Sequence, residues 1–219
     1  MLFFIAGLIL LPAYYLLIGF YKYARRQIPV FSLPDGISPD EKISVIIPAR
    51  NEEHSIAHCI HSLLRQHYPR ELLEIIVVDD HSTDNTASVV RQFEGSGVRL
   101  LSLSEAGLPH TLAFKKMAIQ AGIDAASGSL IVTTDADCIA GPDWIKTIAA
   151  YHSATGAVFI VAPVKIVPGR KILSVFQSTD FAILQGITAA GVHTGFHRMC
   201  NGANLAYEKK AFLAVNGFK

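Results

Sequence analysis

The sequence predicts an α/β fold: a mostly parallel β-sheet with helices on both faces, preceded by one transmembrane helix. Two observations lead to this prediction. From residue 43 onward, short β-branched runs alternate with segments of helical periodicity and short connections, which is typical of a parallel sheet. Residues 1–21 contain no charged side chain, and this length and composition are those of a membrane-spanning helix.

The N-terminal segment predicts a single-pass anchor. Residues 1–21 are mainly Leu, Ile, Phe, Tyr and Ala, and about 20 such residues cross a hydrocarbon core about 30 Å thick. Lys22, Arg25 and Arg26 follow directly, so the positive-inside rule places the rest of the chain on the cytoplasmic side of the inner (plasma) membrane. A cleaved signal peptide would need a basic start and a shorter apolar stretch. Residues 22–42 combine these basic residues with several prolines, which is typical of a linker.

Length and composition narrow the classes of protein. With 219 residues the chain has room for one sizeable core, which we expect in residues 43–219. A formal net charge of +1 argues against a nucleic-acid-binding protein, which would usually carry a basic surplus. The three cysteines, Cys59, Cys138 and Cys200, have the spacing of neither a disulfide framework nor a CxxC metal site. We therefore expect reduced thiols in a cytosolic domain.

The strands and helices of the predicted domain follow in order along the chain. The strands are short apolar or β-branched runs, and they cover residues 43–47, 72–78, 98–103 and 129–134. Helices are predicted after each strand: one with an apolar face from Ile56 to Leu64, one after the capping residue types at 82–86, one over 111–125 and one opened by Gly141-Pro142.

Polar clusters follow three of these strands at the point where each strand ends. They are residues 48–53, Asp79-Asp80 and residues 135–137. In open parallel sheets ligands bind outside the carboxyl ends of the strands, so these clusters predict one binding site at one edge of the sheet.

Asp135 and Asp137 alternate around the small Ala136, and their chemistry favours a divalent cation. Carboxylate oxygens are hard ligands that suit Mg²⁺ or Mn²⁺, commonly together with substrate phosphates. Such an ion could also carry the charge that develops on a departing diphosphate. Because a single DxD triplet occurs by chance in many loops, this prediction depends on the three clusters together.

Read in order, the three clusters resemble the motifs of a known enzyme family. The segments are VIIPARNEE at 45–53, IVVDDHSTD at 76–84 and VTTDAD at 132–137, and they resemble those of membrane-anchored family 2 glycosyltransferases. The resemblance covers residues 43–219. It implies the GT-A fold, a Rossmann-like parallel sheet extended by an acceptor-binding region.

The resemblance also implies roles for individual residues. Pro48, Arg50 and Glu52 would line the nucleoside pocket, and Asp79 with Asp80 would receive the base and ribose. Asp135 would face the ribose and diphosphate and, with Asp137, would bind the metal, Mg²⁺ or Mn²⁺. Asn201, Gly202 and Asn204 would lie beside the sugar and acceptor.

Lys115 is a further candidate for contact with the nucleotide or phosphate. It stands seven residues before Gly122, as in the Gly-Lys segment of the family. However, Phe114 replaces the usual glycine and Gln120 the common asparagine. An exposed helix lysine without a role in binding is therefore the alternative for Lys115.

The general base is the residue that the resemblance does not supply. In the family an acidic pair follows a Gly-Phe turn, here Gly217-Phe218, and the sequence ends at Lys219. We therefore expect the base beyond Lys219 and a domain that is incomplete at its C-terminus. Asp180 and Glu208 are conceivable substitutes, but both are predicted on solvated helix faces.

The expected function is the transfer of a sugar from a nucleotide-sugar donor, most simply a UDP-sugar, with inversion at the anomeric carbon. The acceptor would be lipid-linked or a polysaccharide at the cytoplasmic membrane face. The alternative is a catalytically incomplete fragment that binds nucleotide sugar, or an interaction module. A dinucleotide-dependent oxidoreductase is disfavoured because no GxGxxG follows the first strand.

Overall fold

The structure is a computed structural model that describes residues 2–34, 36, 39–107, 114–197 and 199–218. The chain forms two compact units. One, here called the helical unit, consists of Met1–Phe31 and Pro163–Asn201. The other, here called the sheet unit, consists of Ser32–Ala162 and Gly202–Lys219. Residues 163–201 therefore form an excursion from the domain that the sequence predicts over 43–219.

In the described part of the sheet unit, six strands form one sheet in the order β3-β2-β1-β4-β6-β5. The strands are β1 Ile43–Ala49, β2 Leu73–Asp79, β3 Val98–Ser102, β4 Leu130–Thr134, β5 Phe159–Val161 and β6 Asn204–Glu208. The first four are parallel, whereas β6 is antiparallel to both β4 and β5. The predicted mostly parallel α/β sheet is confirmed, and the sequence did not predict β5 and β6.

The helices of the described residues are α1 Leu2–Gln27, α2 Ile56–Leu64, α3 Thr86–Arg91, α4 Phe114–Ala125, α5 Trp144–Thr155, α6 Ile172–Thr194 and α7 Lys209–Ala214. Short 3₁₀ turns precede β2 and β3. The predicted helix over 111–125 is α4. Its first three predicted residues lie outside the described residues.

Helices cover both faces of the sheet, as predicted. Successive residues of β1 point to opposite faces, because the side-chain period of a strand is two. Val45 packs in one core with Ile60 of α2 and Ile148 of α5, while Ile46 packs in the other with Ile123 of α4. All are almost fully buried, which explains why the parallel strands have continuous apolar sequences.

The helical unit contains α1 and α6. The ring of Phe20 in α1 meets that of Phe196 edge to face at 5.5 Å between centroids. α1 continues to Gln27, so the first residues of the predicted linker are helical; the chain leaves the helix at Ile28, before Pro29, which disfavours further helical geometry.

The membrane anchor predicted over residues 1–21 falls within α1, apart from Met1, which lies outside the described residues. Within the part of the chain that the structure describes, no helix is long and apolar enough to cross a membrane. The predicted transmembrane helix is therefore not confirmed.

Candidate functional site

The three polar clusters lie at one edge of the sheet because the strands that carry them are parallel and adjacent. Ala49 at the end of β1 pairs with Asp79 at the end of β2, and the Asp80 amide donates to the Ala49 carbonyl at 2.9 Å. β4 flanks β1 on the other side. A cavity of about 250 Å³ opens at this edge, lined by Pro48, Ala49, Arg50, Glu52, Asp80, Lys115, Ala118, Asp135 and Asp137.

The cavity gathers residues that are far apart in the sequence. All but two of its lining residues were candidates from the sequence; Ala49 and Ala118 were not, because nothing in their chemistry marks them. Ala118 is fully buried and lies on α4 about one turn after Lys115. Small side chains at these two positions leave room for a ligand.

Lys115 and Asp135 form an ion pair across the cavity. The ammonium group of Lys115 donates to Oδ1 of Asp135, which joins the first turn of α4 to the end of β4. Both side chains are partly solvated, so the pair contributes little to folding. The ion pair instead fixes the position of Lys115. It holds the ammonium group beside the carboxylate of Asp135, so that Lys115 lies at the cavity and not on an unrelated face of α4.

Asp79 and Asp80 differ in their surroundings. Asp79 is almost fully buried, and its Oδ1 has no hydrogen-bond partner among the described residues. A buried acceptor left unpaired costs about 1–3 kcal/mol. Asp79 is not among the residues that line the cavity, and it lies directly before Asp80, which does line it. Asp80 is also buried, but its Oδ1 lies 2.9 Å from Nδ1 of His81. The second carboxylate is thus already oriented by the protein.

Hydrogen bonds connect the loop after β1 to the loop after β2. The amide of Asn51 donates to Oγ of Ser82 at 3.0 Å, and the side-chain oxygen of Asn51 accepts from the Thr83 amide at 2.8 Å. Asn51 and His81 both have positive φ, each at 56°, in the left-handed region that Asn and His tolerate better than most residues. The loop carrying Arg50 and Glu52 is therefore held in one conformation by the loop after β2.

Thr86 and Asp84 complete this connection. The amide of Glu52 donates to Oγ1 of Thr86 at 2.7 Å, and Thr86 donates through its own amide to Oδ1 of Asp84 at 2.9 Å. Desolvation raises the pKa of Asp84, but the hydrogen bonds from the Thr86 hydroxyl and from backbone amides outweigh it and leave that pKa below its usual value. The sequence predicted 82–86 only as a helix cap, and it missed this role in holding Glu52.

The Asp135-Ala136-Asp137 segment presents two carboxylates to the cavity. Ala136 is buried in the core, which turns its neighbours outward: Asp135 is half-buried and Asp137 is exposed. Among the residues that the structure describes, no cluster of three metal-ligating side chains exists. Two carboxylates are nevertheless the protein ligands that Mg²⁺ commonly uses when substrate phosphates supply the rest, so this pair fits a cation that binds together with a diphosphate.

Gly202 and Asn204 lie beside the end of β4, on the side away from β1. The Thr133 hydroxyl donates to the Gly202 carbonyl at 2.9 Å, and Asn204 pairs with Thr134, directly before Asp135. Nε1 of Trp144 donates to the Asn204 side chain at 3.0 Å and fixes its orientation, a contact that the sequence did not predict. Asn201 belongs to the helical unit, unlike these two residues.

Of the two conceivable substitutes for the general base, Glu208 does not lie where the sequence predicted it. Glu208 is the last residue of β6 and pairs with Leu130, the first residue of β4, so it lies at the sheet edge opposite Asp135. Its half-buried carboxylate contacts His152 and Lys210, and the nearby Lys210 lowers its pKa. The predicted position on a solvated helix face is therefore wrong, because β6 extends through Glu208 before α7 begins. Asp180 is exposed on α6, as predicted.

With this geometry established, residues 44–212 match the family described as glycosyl transferase family 2. The chain belongs to this family. Among its relatives, glycosyltransferase AglE of Haloferax volcanii is 32% identical over 52% of this chain and 36% of its own length. Validoxylamine A glucosyltransferase of Streptomyces hygroscopicus subsp. limoneus is 31% identical over 64% of this chain and 29% of its own. The chain thus spans about a third of the length of these relatives.

Solved structures of glycosyltransferases share the fold. Mannosyltransferase PcManGT from Pyrobaculum calidifontis, in complex with GDP-Man and Mn²⁺, superposes with a TM-score of 0.67 at 23% identity, over 93% of this chain and 55% of that one. S. aureus TarS 1-349 in complex with UDP gives a TM-score of 0.53 at 26% identity, over 60% and 38%. The family 2 chain therefore has the GT-A-like architecture that its motifs imply.

Proposed function

We propose that this family 2 protein transfers a sugar from a nucleotide-sugar donor to an acceptor, and that the cavity at the carboxyl edge of the sheet binds the donor. One observation carries the proposal. Candidate residues from four separate segments, represented by Arg50, Asp80, Lys115 and Asp135, line the same cavity. A site for a nucleoside diphosphate needs both acceptors for the nucleoside and positive charge for the phosphates, and this cavity provides both.

Each part of the donor has a matching group. The unpaired buried oxygen of Asp79 suits an N–H group of the base, and the oriented Asp80 carboxylate suits a ribose hydroxyl. Arg50 and Lys115 bring positive charge to the cavity, and Lys115 lies beside Asp135. Charge-assisted hydrogen bonds to phosphate oxygens are among the stronger contacts that a protein can make.

We propose a divalent cation, Mg²⁺ or Mn²⁺, held by Asp137 together with Asp135. When bound, it supplies positive charge to the diphosphate that leaves the sugar. Asp137 is the more available ligand because it is exposed at the cavity, whereas Asp135 already accepts from Lys115. A divalent cation, together with the ammonium group of Lys115, would offset the repulsion between a diphosphate and the two carboxylates.

We also propose a UDP-sugar as donor, inversion at the anomeric carbon, and a lipid-linked or polysaccharide acceptor at the cytoplasmic face of a membrane. The choice of UDP has support from TarS, whose solved structure contains UDP. The membrane location has support from the exposed apolar side chains along α1, among them Tyr15 and Leu16. Exposed apolar helix surface of this kind marks contact with lipid or another protein.

Calorimetric titration of UDP into the full chain tests the proposal, with Mn²⁺ and with chelator. We expect binding that depends on metal, that falls at least tenfold in Asp137→Asn, and that is unchanged in the control Asp143→Asn, an exposed carboxylate paired with His67. Equal loss in both variants, or binding unaffected by chelator and by Asp137→Asn, would contradict a metal-assisted donor site. Release of UDP from a UDP-sugar in the presence of acceptor lipids distinguishes transfer from the alternative of binding alone.

A further inference from the structure

The charges of the chain are divided unequally between its two units. Of the 19 Lys and Arg residues, the helical unit holds seven, while of the 18 Asp and Glu residues it holds only Asp180. The sheet unit therefore carries an acidic surplus, although the whole chain is nearly neutral. A strongly basic unit indicates a partner with negative charge.

The first half of α6 exposes large apolar side chains to solvent. Ile172 is 89% exposed and Phe176 66% exposed, and Ile183 continues the same helix face at the next two turns. Leu173 and Leu184 lie beside this face and are also more than half exposed. Several large apolar side chains exposed together on a helix mark an interaction site.

Basic residues lie directly beside this apolar face. Lys165, Arg170 and Lys171 are exposed in the segment that leads into α6. The polar side of the helix carries uncharged residues such as Ser174 and Gln177. Apolar side chains on one face, with basic residues at the helix start, are the features of a helix that lies in the interface of an anionic membrane.

We propose that α6 docks the protein on the surface of an anionic bilayer, with Ile172, Phe176 and Ile183 among the acyl chains and Arg170 with Lys171 at the lipid headgroups. The helix lies in the interface and does not cross the membrane, because Gln177, Asp180 and Gln185 interrupt its apolar sequence. A second copy of the chain is a poorer occupant, since two basic units repel each other. This contact is separate from the membrane anchor that the sequence predicts in residues 1–21.

Asp180 has a specific effect in this arrangement. It lies one turn after Phe176 and three residues before Ile183, so it borders the apolar face. Its carboxylate is exposed and would approach anionic headgroups of the same charge. Asp180 therefore weakens docking, and Asp180→Asn strengthens it.

Sedimentation of the full chain with vesicles of phosphatidylcholine and phosphatidylglycerol tests the proposal. The double variant Leu173→Ser, Phe176→Ser is expected to bind at least about tenfold more weakly. Two apolar side chains that the bilayer would bury are absent from it. Arg170→Glu with Lys171→Glu should bind about tenfold more weakly to these vesicles but not to pure phosphatidylcholine, whereas Asp180→Asn should bind more tightly. Unchanged binding in the two double variants would overturn the proposal.

A local probe separates docking by α6 from binding through α1. Phe176→Trp places an indole on the proposed surface, and Phe159→Trp places one on the exposed edge strand β5 as a control. Brominated lipids should quench the indole at 176 strongly and that at 159 no more than the background from Trp144. Equal quenching at both positions would overturn the proposal. A second result would also overturn the proposal: the protein forms a dimer without vesicles, and Phe176→Ser dissociates that dimer but leaves vesicle binding unchanged. In that case α6 contacts a second copy of the chain.

Discussion

Lys115 on α4 holds the carboxylate of Asp135, the residue that directly follows β4, and this pair connects two segments that are twenty residues apart in sequence. It places a flexible cation where the diphosphate of a donor would bind. It also keeps one oxygen of Asp135 occupied, which leaves Asp137 as the more accessible ligand for a cation. The two aspartates are therefore not equivalent, although the sequence presents them as a symmetric triplet.

Replacing Lys115 should weaken nucleotide binding without affecting the fold. We expect Lys115→Met to reduce UDP affinity about tenfold, because a charge-assisted contact to phosphate is lost. Lys116→Met is the matched control, since Lys116 is the exposed neighbour on the same helix and lies outside the cavity. Calorimetry measures both. Equal affinities of the two variants would show that Lys115 has no role in donor binding.

Thr86→Val should destabilise the protein and disturb the site together. The Thr86 side chain is fully buried, accepts from the Glu52 amide and donates to Asp84. Valine has the same shape but leaves the Glu52 amide without this acceptor and removes one of the hydrogen bonds to Asp84, which keeps its bond from the Thr86 amide. We therefore expect a loss of about 1–3 kcal/mol in the free energy of unfolding, measured by urea denaturation. UDP affinity should fall as well, because the loop carrying Glu52 is released.

Thr83→Val is the control for this prediction. Thr83 is exposed in the loop that precedes α3, and among the described residues its hydroxyl makes one hydrogen bond, to the side chain of Asn51 at 3.3 Å. A solvated group of this kind changes stability by less than about 0.5 kcal/mol. If the two threonine variants had the same stability, Thr86 would not be the residue that joins the loops.

The sequence predicted the part of the site that follows directly from strand periodicity. Asp79 and Asp135 end buried β-branched strands, and parallel strands deliver their carboxyl ends to one edge, so their proximity could be predicted. The hydrogen bonds from Asn51 and Thr86 could not, because they depend on loop backbone with positive φ and on residues about thirty positions apart. Local propensity contains no information about such contacts.

The second half of the chain was harder to predict for a different reason. β6 is a five-residue antiparallel strand that follows a helical excursion, so no alternating β–helix pattern leads to it. Glu208 was consequently assigned to a helix face instead of a strand end. The sequence placed Asp180 on a helix but gave no bounds for that helix, because much of the apolar face of α6 is exposed and not packed on a core.

Gly122→Ala should destabilise the sheet unit by overpacking. A methyl group at Gly122 would lie 2.5 Å from Cγ2 of Ile46 and 3.1 Å from Cγ2 of Val78, and both side chains are fully buried strand residues that cannot move away. We expect a net loss of about 1–2 kcal/mol after the helical preference for alanine is included. Gly19→Ala, with no atom within 4 Å of the added methyl group, should not destabilise. Thermal denaturation measures both variants, and a stabilised Gly122→Ala protein would contradict close packing of α4 on β1.

Glu74 should contribute to the pH dependence of stability. It lies near the start of β2, at the end of the sheet opposite the cavity. Its carboxylate accepts hydrogen bonds from the Ser44 hydroxyl at 2.5 Å and from the amide and hydroxyl of Ser127 at 2.8 and 3.0 Å. Burial raises the pKa of Glu74, but these hydrogen bonds and the charge of Arg99 outweigh it, and the pKa is lowered from 4.5.

A carboxylate with a lowered pKa in the folded state stabilises the protein above its unfolded pKa, and this contribution is lost as the pH falls through the folded value. We therefore expect Glu74→Gln to be less stable than the wild type at pH 7, by no more than about 1 kcal/mol because the carboxylate is partly solvated. The difference should persist down to about pH 4.5 and shrink below it, since protonated Glu74 and glutamine are both neutral. Denaturation curves of the two proteins between pH 7 and pH 3 measure this. A difference that is constant over that range would show that Glu74 acts through packing and not through its charge.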